Sequence, residues 1–114
     1  MSENYLVVAT PVFKLTLNKL RAFLKRKHGD TLAARTCDSI KQRLADLSSN
    51  PYLAPVSDRL SALGFTDYRQ FQIDDHNLVF YRVDAQARKV ILVIAMDSRQ
   101  SIEQLLFDTI ISME

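Results

Sequence analysis

The stretch Val90-Ile91-Leu92-Val93-Ile94-Ala95-Met96 decides the fold, because it is apolar at every position. A strand with one face in water alternates apolar and polar residues, so this pattern predicts an inner strand that is covered on both sides. Two strands at residues 68–73 and 78–83 precede it, separated by short polar connections, and residues 5–9 favour a further strand. Because short links join neighbouring strands of opposite direction, we expect an antiparallel meander.

Two helices are predicted between the first strand and the meander. Thr10 and Pro11 suit the N-cap and the first helical position, and Gly29 suits the left-handed residue that ends this helix. Asp30 or Thr31 can then cap the second helix, and the short link predicts an antiparallel hairpin. Apolar residues recur at helical spacing in both helices: Phe13, Leu17, Leu20 and Leu24 in the first, and Ala33, Cys37, Ile40, Leu44 and Leu47 in the second.

Residues 50–66 are the least regular part of the chain. Pro51 and Pro55 exclude a regular helix around them, yet the segment is rich in apolar side chains. We therefore expect it to pack against the body of the protein. The apolar residues concerned are Tyr52, Leu53, Val56, Leu60, Leu63 and Phe65.

A last helix completes the predicted order β-α-α-β-β-β-α. Ser98 can cap it, and its apolar stripe either covers a face of the sheet or docks a partner. The stripe comprises Ile102, Leu105, Leu106, Thr109, Ile110 and Met113. The sequence thus predicts one α+β domain over residues 1–114, with a helix hairpin packed on an antiparallel β-sheet meander.

Composition excludes several classes of protein. Among 114 residues there are one cysteine, two glycines and three prolines, which excludes a disulfide scaffold and a collagen-like or disordered chain. No apolar run approaches the length that spans a bilayer, and no signal peptide is visible, so we expect a cytoplasmic protein without membrane contact.

The chain offers no evident metal or cofactor site. Cys37, His28 and His76 do not fall at ligand spacing, and Cys37 lies on an apolar helix stripe. Gly29 and Gly64 stand alone, so there is no glycine-rich phosphate loop, and no serine nucleophile motif is present. We expect no cofactor.

Charge is distributed unevenly around a net value of +2. Residues 1–66 carry ten lysines and arginines against five acids, whereas residues 67–114 carry five against eight. Lys14, Arg21 and Lys25 follow one face of the first helix, so this stripe is either a solvated surface or a docking surface for an acidic partner.

Three arginines lie on or near the predicted sheet. Arg69, Arg82 and Arg99 could each bind phosphate or carboxylate through a planar guanidinium. The alternative is a surface ion pair with a nearby acid. The acids concerned are Asp67, Asp74, Asp75 and Asp97.

Three local signatures follow one another along the chain. The first, Leu44-Ala45-Asp46-Leu47-Ser48-Ser49-Asn50-Pro51, ends the second helix with an asparagine before proline. The second, Pro51-Tyr52-Leu53-Ala54-Pro55-Val56-Ser57-Asp58-Arg59-Leu60, joins a proline–tyrosine pair to serine–aspartate–arginine. The third, Asn77-Leu78-Val79-Phe80-Tyr81-Arg82-Val83, precedes the apolar strand and Arg99.

In this order the signatures resemble the RelE/ParE toxin superfamily of bacterial type II toxin–antitoxin systems, over residues 5–107. The resemblance implies one of two activities. RelE-like members cut mRNA in the ribosome, with lysines and arginines and often a C-terminal tyrosine or histidine. ParE-like members instead poison DNA gyrase.

The sequence departs from both patterns. Arg99 matches the family arginine after the last strand, and Arg69 matches an earlier basic position. Leu78 stands where RelE-like toxins place an arginine, and no tyrosine or histidine follows Arg99. The histidine and paired arginines that ParE-like members often carry after the last strand are replaced by Asp97-Ser98-Arg99-Gln100.

The leading hypothesis is a ParE-like toxin that inhibits DNA gyrase. A cognate antitoxin from the same operon would neutralise it, laying an acidic, amphipathic segment across the sheet edge and the helix hairpin, with Lys14, Arg21 and Lys25 as a docking surface. The first alternative is a ribosome-dependent mRNA interferase that uses the three arginines, with Asp75 or His76 as a non-standard acid. The second is a degenerate member that only binds its antitoxin.

Overall fold

The computed structural model describes residues 4–113, with side chains described as far as Asp108. Within this range the chain contains four strands and five helices, three of the helices long and two short. In chain order these are β1 (Leu6–Ala9), α1 (Pro11–His28), α2 (Asp30–Leu44), α3 (Asp46–Ser49), α4 (Asp58–Ala62), β2 (Arg69–Gln72), β3 (Asn77–Asp84), β4 (Lys89–Asp97) and α5 (Ile102–Met113).

The four strands form one sheet in the order β1-β4-β3-β2. The antiparallel meander of β2, β3 and β4 is confirmed, with Asn77 opposite Asp97 and Asp84 opposite Lys89 in the β3–β4 pair. β1 pairs with β4 in parallel, which makes the sheet mixed. An inner strand needs a neighbour on each edge, and β1 occupies the edge of β4 that the meander leaves open.

The helix hairpin begins and turns at the predicted residues. The Thr10 hydroxyl accepts a hydrogen bond from the Phe13 N–H at 3.0 Å, Pro11 is the first residue of α1, and Gly29 has φ 91°. The prediction that Asp30 or Thr31 caps α2 is wrong, because Gly29 directly precedes the helix and Asp30 is its first residue. A single glycine therefore serves as the whole connection between α1 and α2.

A β-bulge divides β4 between the two faces of the sheet. Tyr81 pairs with Leu92 and Phe80 with Ile94, so Val93 has no partner of its own in β3. In a regular strand Leu92 and Ile94 would share a face. The extra residue instead sends them into different clusters of buried side chains.

The two clusters confirm that β4 is covered on both sides. The hairpin face is packed by α1 and α2 and includes the predicted stripe residues Leu20, Leu24 and Ile40, each at most 2% exposed. The opposite face is covered by α4 and α5, which supply Leu60, Ile102 and Leu105. The last helix therefore covers a sheet face through the described part of its stripe; the side chains of Thr109, Ile110 and Met113 lie outside the described residues.

Residues 50–66 differ from the sequence prediction in two ways. A short helix, α4, forms after the prolines, with the Ser57 hydroxyl accepting the Leu60 N–H at 3.2 Å. The expectation that the apolar side chains pack inward holds only for Leu60, which is 3% exposed. The other five are between 41% and 52% exposed, namely Tyr52, Leu53, Val56, Leu63 and Phe65. The segment is tied to β2 by backbone hydrogen bonds, and these five apolar side chains remain at the surface.

The start of α5 also differs from the prediction. Ser98 does not cap it; the Ser101 hydroxyl accepts a hydrogen bond from the Gln104 N–H at 3.2 Å, and the helix begins at Ile102. Ser98 donates its N–H to the His76 carbonyl at 2.6 Å, because it still continues the pairing of β4 with the turn before β3.

Candidate functional site

The C-terminal end of β4 joins a buried carboxylate to an exposed guanidinium. Asp97 is 0% exposed, whereas the Arg99 side chain is 44% exposed. Arg99 donates from Nε to Oδ1 of Asp97 at 2.8 Å and from Nη2 to Oδ2 at 2.6 Å, and its backbone N–H reaches Oδ1 at 2.8 Å. This two-pronged geometry fixes the guanidinium plane.

The ionisation of this pair follows from its surroundings. Burial alone would raise the pKa of Asp97, but the hydrogen bonds and charge of Arg99 together lower that pKa below its usual range. The Asp97 carboxylate in turn raises the pKa of Arg99. The pair is therefore ionised at neutral pH, and its aspartate is already engaged.

Arg99 lines a cleft of about 360 Å³ at this end of the sheet. The turn between β2 and β3 contributes Asp75 and His76, and the end of α1 contributes His28. The structure thus brings Arg99 together with both acids of the interferase hypothesis, Asp75 and His76. The side chains of Arg99, Asp75, His76 and His28 are all exposed.

The wall of this cleft is a tightly bonded turn. Asp74 accepts the His76 and Asn77 backbone N–H groups at 2.9 and 2.8 Å, and the Asn77 side-chain amide at 3.0 Å. Burial opposes ionisation of Asp74, but these hydrogen bonds outweigh it and lower its pKa. Asn77 is 5% exposed, and its Oδ1 has no partner among the described residues.

Arg69 and Arg82 lie at the other end of the sheet, around a cavity of about 280 Å³. Arg69 donates to the Ala54 carbonyl at 2.6 Å, and its guanidinium carbon lies 4.9 Å from the centre of the Tyr52 ring. The Arg82 guanidinium makes no hydrogen bond or ion pair with another described residue. Of the two guanidinium groups at this cavity, that of Arg69 is already hydrogen-bonded to the protein, whereas that of Arg82 is available to a ligand.

The structure does not bring the three predicted arginines together. Arg82 lies five positions along β3 from Asn77, which pairs with Asp97 next to Arg99. At the rise of a β-strand this separation is about 17 Å. A single scissile phosphate cannot contact both ends of the sheet, so Arg69 and Arg82 belong to a different surface from Arg99.

The cationic stripe of α1 lies at the surface of the hairpin. Lys14, Arg21 and Lys25 are all exposed. Arg21 and Lys25 line a groove of about 550 Å³ between α1 and α2, whose floor includes alanines from both helices. Lys25 also pairs with Asp30 at 3.2 Å, a largely exposed contact that contributes little to stability. The lining of the groove contains two cations, Arg21 and Lys25, against one acid, Asp30.

Sequence reasoning missed two residues that organise the sheet edge. Tyr81 is 0% exposed and donates its hydroxyl to the Pro51 carbonyl at 2.8 Å, and burial raises its pKa. Arg43 donates to the Ile73 carbonyl at 2.7 Å and lies 4.9 Å from the Phe71 ring centre. The role of Tyr81 could have been suspected, because a tyrosine within a buried apolar strand needs a hydrogen-bond partner for its hydroxyl. Nothing in the sequence distinguishes Arg43 from the other arginines at the surface.

The single cysteine, Cys37, is a buried residue of α2. Cys37 is 7% exposed on the inner face of α2, and burial raises the pKa of its thiol. Residues 4–113 contain no group of three or more histidines, cysteines or acids placed to hold a metal ion. No helix in that range is long and apolar enough to cross a bilayer.

Comparisons with known proteins agree on one family. A family model described as the ParE toxin of the type II toxin–antitoxin system parDE matches residues 7–102. A search of curated proteins found no match.

Two solved structures share the fold. A chain from the toxin–antitoxin complex RelBE2 of Mycobacterium tuberculosis superposes with a TM-score of 0.62 at 17% identity, over 82% of this chain and 98% of the other. A chain from the chromosomal ParDE system of P. aeruginosa gives a TM-score of 0.67 at 11% identity, over 84% and 98%. Because the family model covers most of the sequence, we conclude that this chain belongs to the ParE toxin family of type II toxin–antitoxin systems.

Proposed function

We propose that this protein is a ParE-like toxin that inhibits DNA gyrase and is neutralised by a cognate antitoxin. The family match over residues 7–102 carries the proposal. The separation of Arg69 and Arg82 from Arg99 supports it, because an mRNA-cleaving site needs a base, an acid and cationic groups around one phosphate. A gyrase inhibitor needs only a binding surface. The proposed place of action is the cytoplasm.

The test is to express the chain alone in bacteria and follow chromosomal DNA breaks against growth. Gyrase inhibition predicts breaks that rise before growth stops, and gyrase-dependent cleavage complexes when purified chain, gyrase and plasmid are mixed. Growth arrest with an intact chromosome would contradict it. Absence of arrest would instead indicate the degenerate, antitoxin-binding member.

The antitoxin is proposed to dock an acidic helix in the groove that Arg21 and Lys25 line, with Lys14 extending the contact. Both comparison structures come from toxin–antitoxin systems, which supports a partner of this kind. Reversing both charges, Arg21→Glu with Lys25→Glu, should weaken the complex by about tenfold or more. Because salt screens the attraction, the difference from the unaltered chain should shrink as ionic strength rises.

The matched control reverses two exposed cations of α2 that lie outside this groove, Arg35 and Lys41. It imposes the same change in net charge. Equal weakening by the two double variants would attribute the effect to net charge and remove the groove from the proposal.

A second candidate function is mRNA cleavage at the Arg99 cleft, favoured by the presence of Asp75 and His76 beside Arg99. His76→Gln and Asp75→Asn test it, since both side chains are exposed. If either is the acid, ribosome-dependent cleavage measured by primer extension should fall by about two orders of magnitude or more. His28→Gln, in the same cleft, is the control and should cleave as the unaltered chain does. Unchanged cleavage in both His76→Gln and Asp75→Asn would exclude this function for the cleft.

A further inference from the structure

Helices α4 and α5 cover only part of the sheet face that points away from the hairpin. Beneath them lie Leu78 and Phe80 of β3, which are 1% and 0% exposed. Because alternate residues of a strand share a face, Arg82 follows them on this face, yet it is partly exposed. Val83 points the other way and packs against the hairpin core. The covering layer therefore ends before the C-terminal end of β3.

A row of partly exposed side chains crosses the sheet at Arg82. The strand register places Val8 of β1 opposite Ile91 of β4, and Ile91 opposite Arg82 of β3. The pairing of β2 with β3, continued by one residue, places Tyr68 on the other side of Arg82. Directly opposed residues of antiparallel strands have Cβ atoms about 5 Å apart. Ile91 and Tyr68 therefore flank Arg82 on its two sides.

The apolar surface extends beyond this row. Val7 packs against the hairpin core, so Leu6 and Val8 point to the opposite face. Leu6 is 61% exposed, the largest exposed fraction among the large apolar side chains that the structure describes. Beyond the other end of the row Phe65 is 46% exposed, and its ring centre lies 6.0 Å from that of Tyr68. Apolar surface that continues over several neighbouring residues is typical of an interaction site.

Arg82 is the charged residue of this row, and its guanidinium makes no hydrogen bond or ion pair with another described residue. The next row on the same face places Lys89 opposite Asp84, and Oδ1 of Asp84 already accepts the Ala87 N–H at 3.0 Å. Coulomb attraction grows as the surroundings become less polar. A carboxylate that arrives together with an apolar surface would therefore pair strongly with Arg82.

We propose that the target protein of this toxin docks on the open face of the sheet, which comprises Leu6, Val8, Tyr68, Arg82 and Ile91. The identification of the target as DNA gyrase rests on the proposed function. The target would present aliphatic or aromatic side chains around one carboxylate, so that the apolar groups cover the row and the carboxylate pairs with Arg82. The open face and the hairpin lie on opposite sides of the sheet. A target bound here would leave the groove between α1 and α2 unoccupied.

Composition and charge favour a protein target over the other occupants of such a face. Surfaces that bind nucleic acids are rich in lysine and arginine, because phosphate contacts supply much of the affinity. The open face instead has one cation among four apolar or aromatic side chains. A second copy of this chain, related by a twofold axis through the row, would bring the two Arg82 guanidinium groups together. None of the five residues of the open face is an acid that could separate them.

The test measures the cleavage complexes that purified gyrase and plasmid DNA form with the full chain. Arg82→Glu reverses the central charge, and Leu6→Ser removes the most exposed apolar side chain of the face. Each substitution should raise the chain concentration that gives half-maximal cleavage by about tenfold, as expected for a residue that anchors an interface.

Two substitutions outside the open face are the matched controls. Arg35→Glu reverses the charge of an exposed arginine of α2, and Leu53→Ser changes a leucine that is 45% exposed in the segment between α3 and α4. Both should change the half-maximal concentration by less than about twofold. Melting curves establish that every variant is folded.

Two results separate this proposal from the proposed function. If the unaltered chain forms cleavage complexes and the folded Arg82→Glu and Leu6→Ser chains act at the same concentration, the open face is not the docking surface, although gyrase inhibition stands. If the unaltered chain forms no cleavage complexes, the proposed function fails, and the assignment of the open face to gyrase fails with it.

Crosslinking locates the contact directly and distinguishes the other occupants. The photoreactive residue benzoylphenylalanine in place of Leu6 should crosslink to a gyrase subunit, whereas the same residue in place of Leu53 should not. A crosslink from position 6 to plasmid DNA would overturn the proposal and assign the open face to a nucleic acid. A crosslink between two copies of the chain, formed without gyrase, would overturn it in favour of self-association.

Discussion

The two ends of the sheet hold their arginines by different physical means. At the β4 end Arg99 is paired with Asp97, a carboxylate without solvent exposure. At the opposite end Arg69 donates to a neutral carbonyl, and the Arg82 guanidinium has no hydrogen-bond partner among the described residues. One end is organised by an ion pair, and the other by hydrogen bonds to neutral backbone groups. In the sequence the three arginines are equivalent candidates for binding an anion. In the structure they differ in how far their guanidinium groups are already engaged by the protein.

The largest expected effect comes from removing the buried charge. Asp97→Ala removes the acceptor of three hydrogen bonds, two of them from the Arg99 side chain. Because hydrogen bonds to charged groups are stronger than neutral ones, we expect a loss of about 3 kcal/mol in the free energy of unfolding, measured with urea. Asp75→Ala, an exposed acid of the neighbouring turn, is the control and should be nearly neutral. Equal stability of the two variants would refute the role given to Asp97.

This result bears directly on how Arg99 should be tested. Arg99→Ala leaves the Asp97 carboxylate buried without its cation, so the fold is expected to lose stability along with any activity. Every activity measurement on Arg99→Ala therefore needs an unfolding curve beside it. Asp75→Asn and His76→Gln avoid the difficulty, because neither side chain is buried.

The next effect is an acid-labile contribution confined to the β4 end. Hydrogen bonds hold the pKa values of Asp97 and Asp74 below the aspartate range, against the opposing effect of burial. In the unfolded chain both titrate near about 3.9. Their stabilisation is therefore fully present above that pH and is lost as the pH falls through the lower native values. Urea unfolding between about pH 5 and 2 should show this loss, and Asp97→Ala should show less of it; identical slopes would contradict the assignment.

A smaller effect is expected at the neutral end. Tyr81→Phe removes a buried hydroxyl that donates to Pro51 and accepts from the Ala54 N–H. Leaving these backbone groups unpaired should cost about 1 to 2 kcal/mol, with no acid-dependent component. If the loss instead varied between pH 5 and pH 3, the description of this end as neutral would be wrong.

The smallest effect is predicted for Arg82→Ala. The guanidinium has no hydrogen bond to a described residue, so the unfolding free energy should change by less than about 0.5 kcal/mol. If Arg82 takes part in binding a target, affinity or toxicity should fall while stability does not. A large loss of stability would show that Arg82 has a structural role like that of Arg99.

Much of the fold could be predicted because local chemistry and burial agree. Thr10, Pro11 and Gly29 each act through their own backbone or side chain, and the all-apolar run after residue 89 requires two covered faces. The parallel pairing of β1 could not be read in the same way, because it depends on contacts distant in sequence. The helix at α4 and the exposure of Leu53 depend on how the segment is tied to β2, which apolar content does not reveal.

The candidate sites were less predictable than the fold. Chain order placed Arg99 near Asp97, and this short-range pair could be anticipated as one of several alternatives. The grouping of Arg99 with His28 across more than half of the chain, and its distance from Arg82, follow from strand order and register.

The extra residue in β4 ties the two layers of the protein into one cooperative unit. Leu92 belongs to the core under the hairpin, and Ile94 belongs to the core under α5. Because both residues lie in the same part of β4, unfolding of either layer would disrupt the backbone that holds the other. Unfolding by heat or denaturant should therefore occur in a single transition, and probes placed on either layer should report the same midpoint. A toxin with this structure would be inhibited more easily by a partner that covers its surface than by the unfolding of one of its two layers.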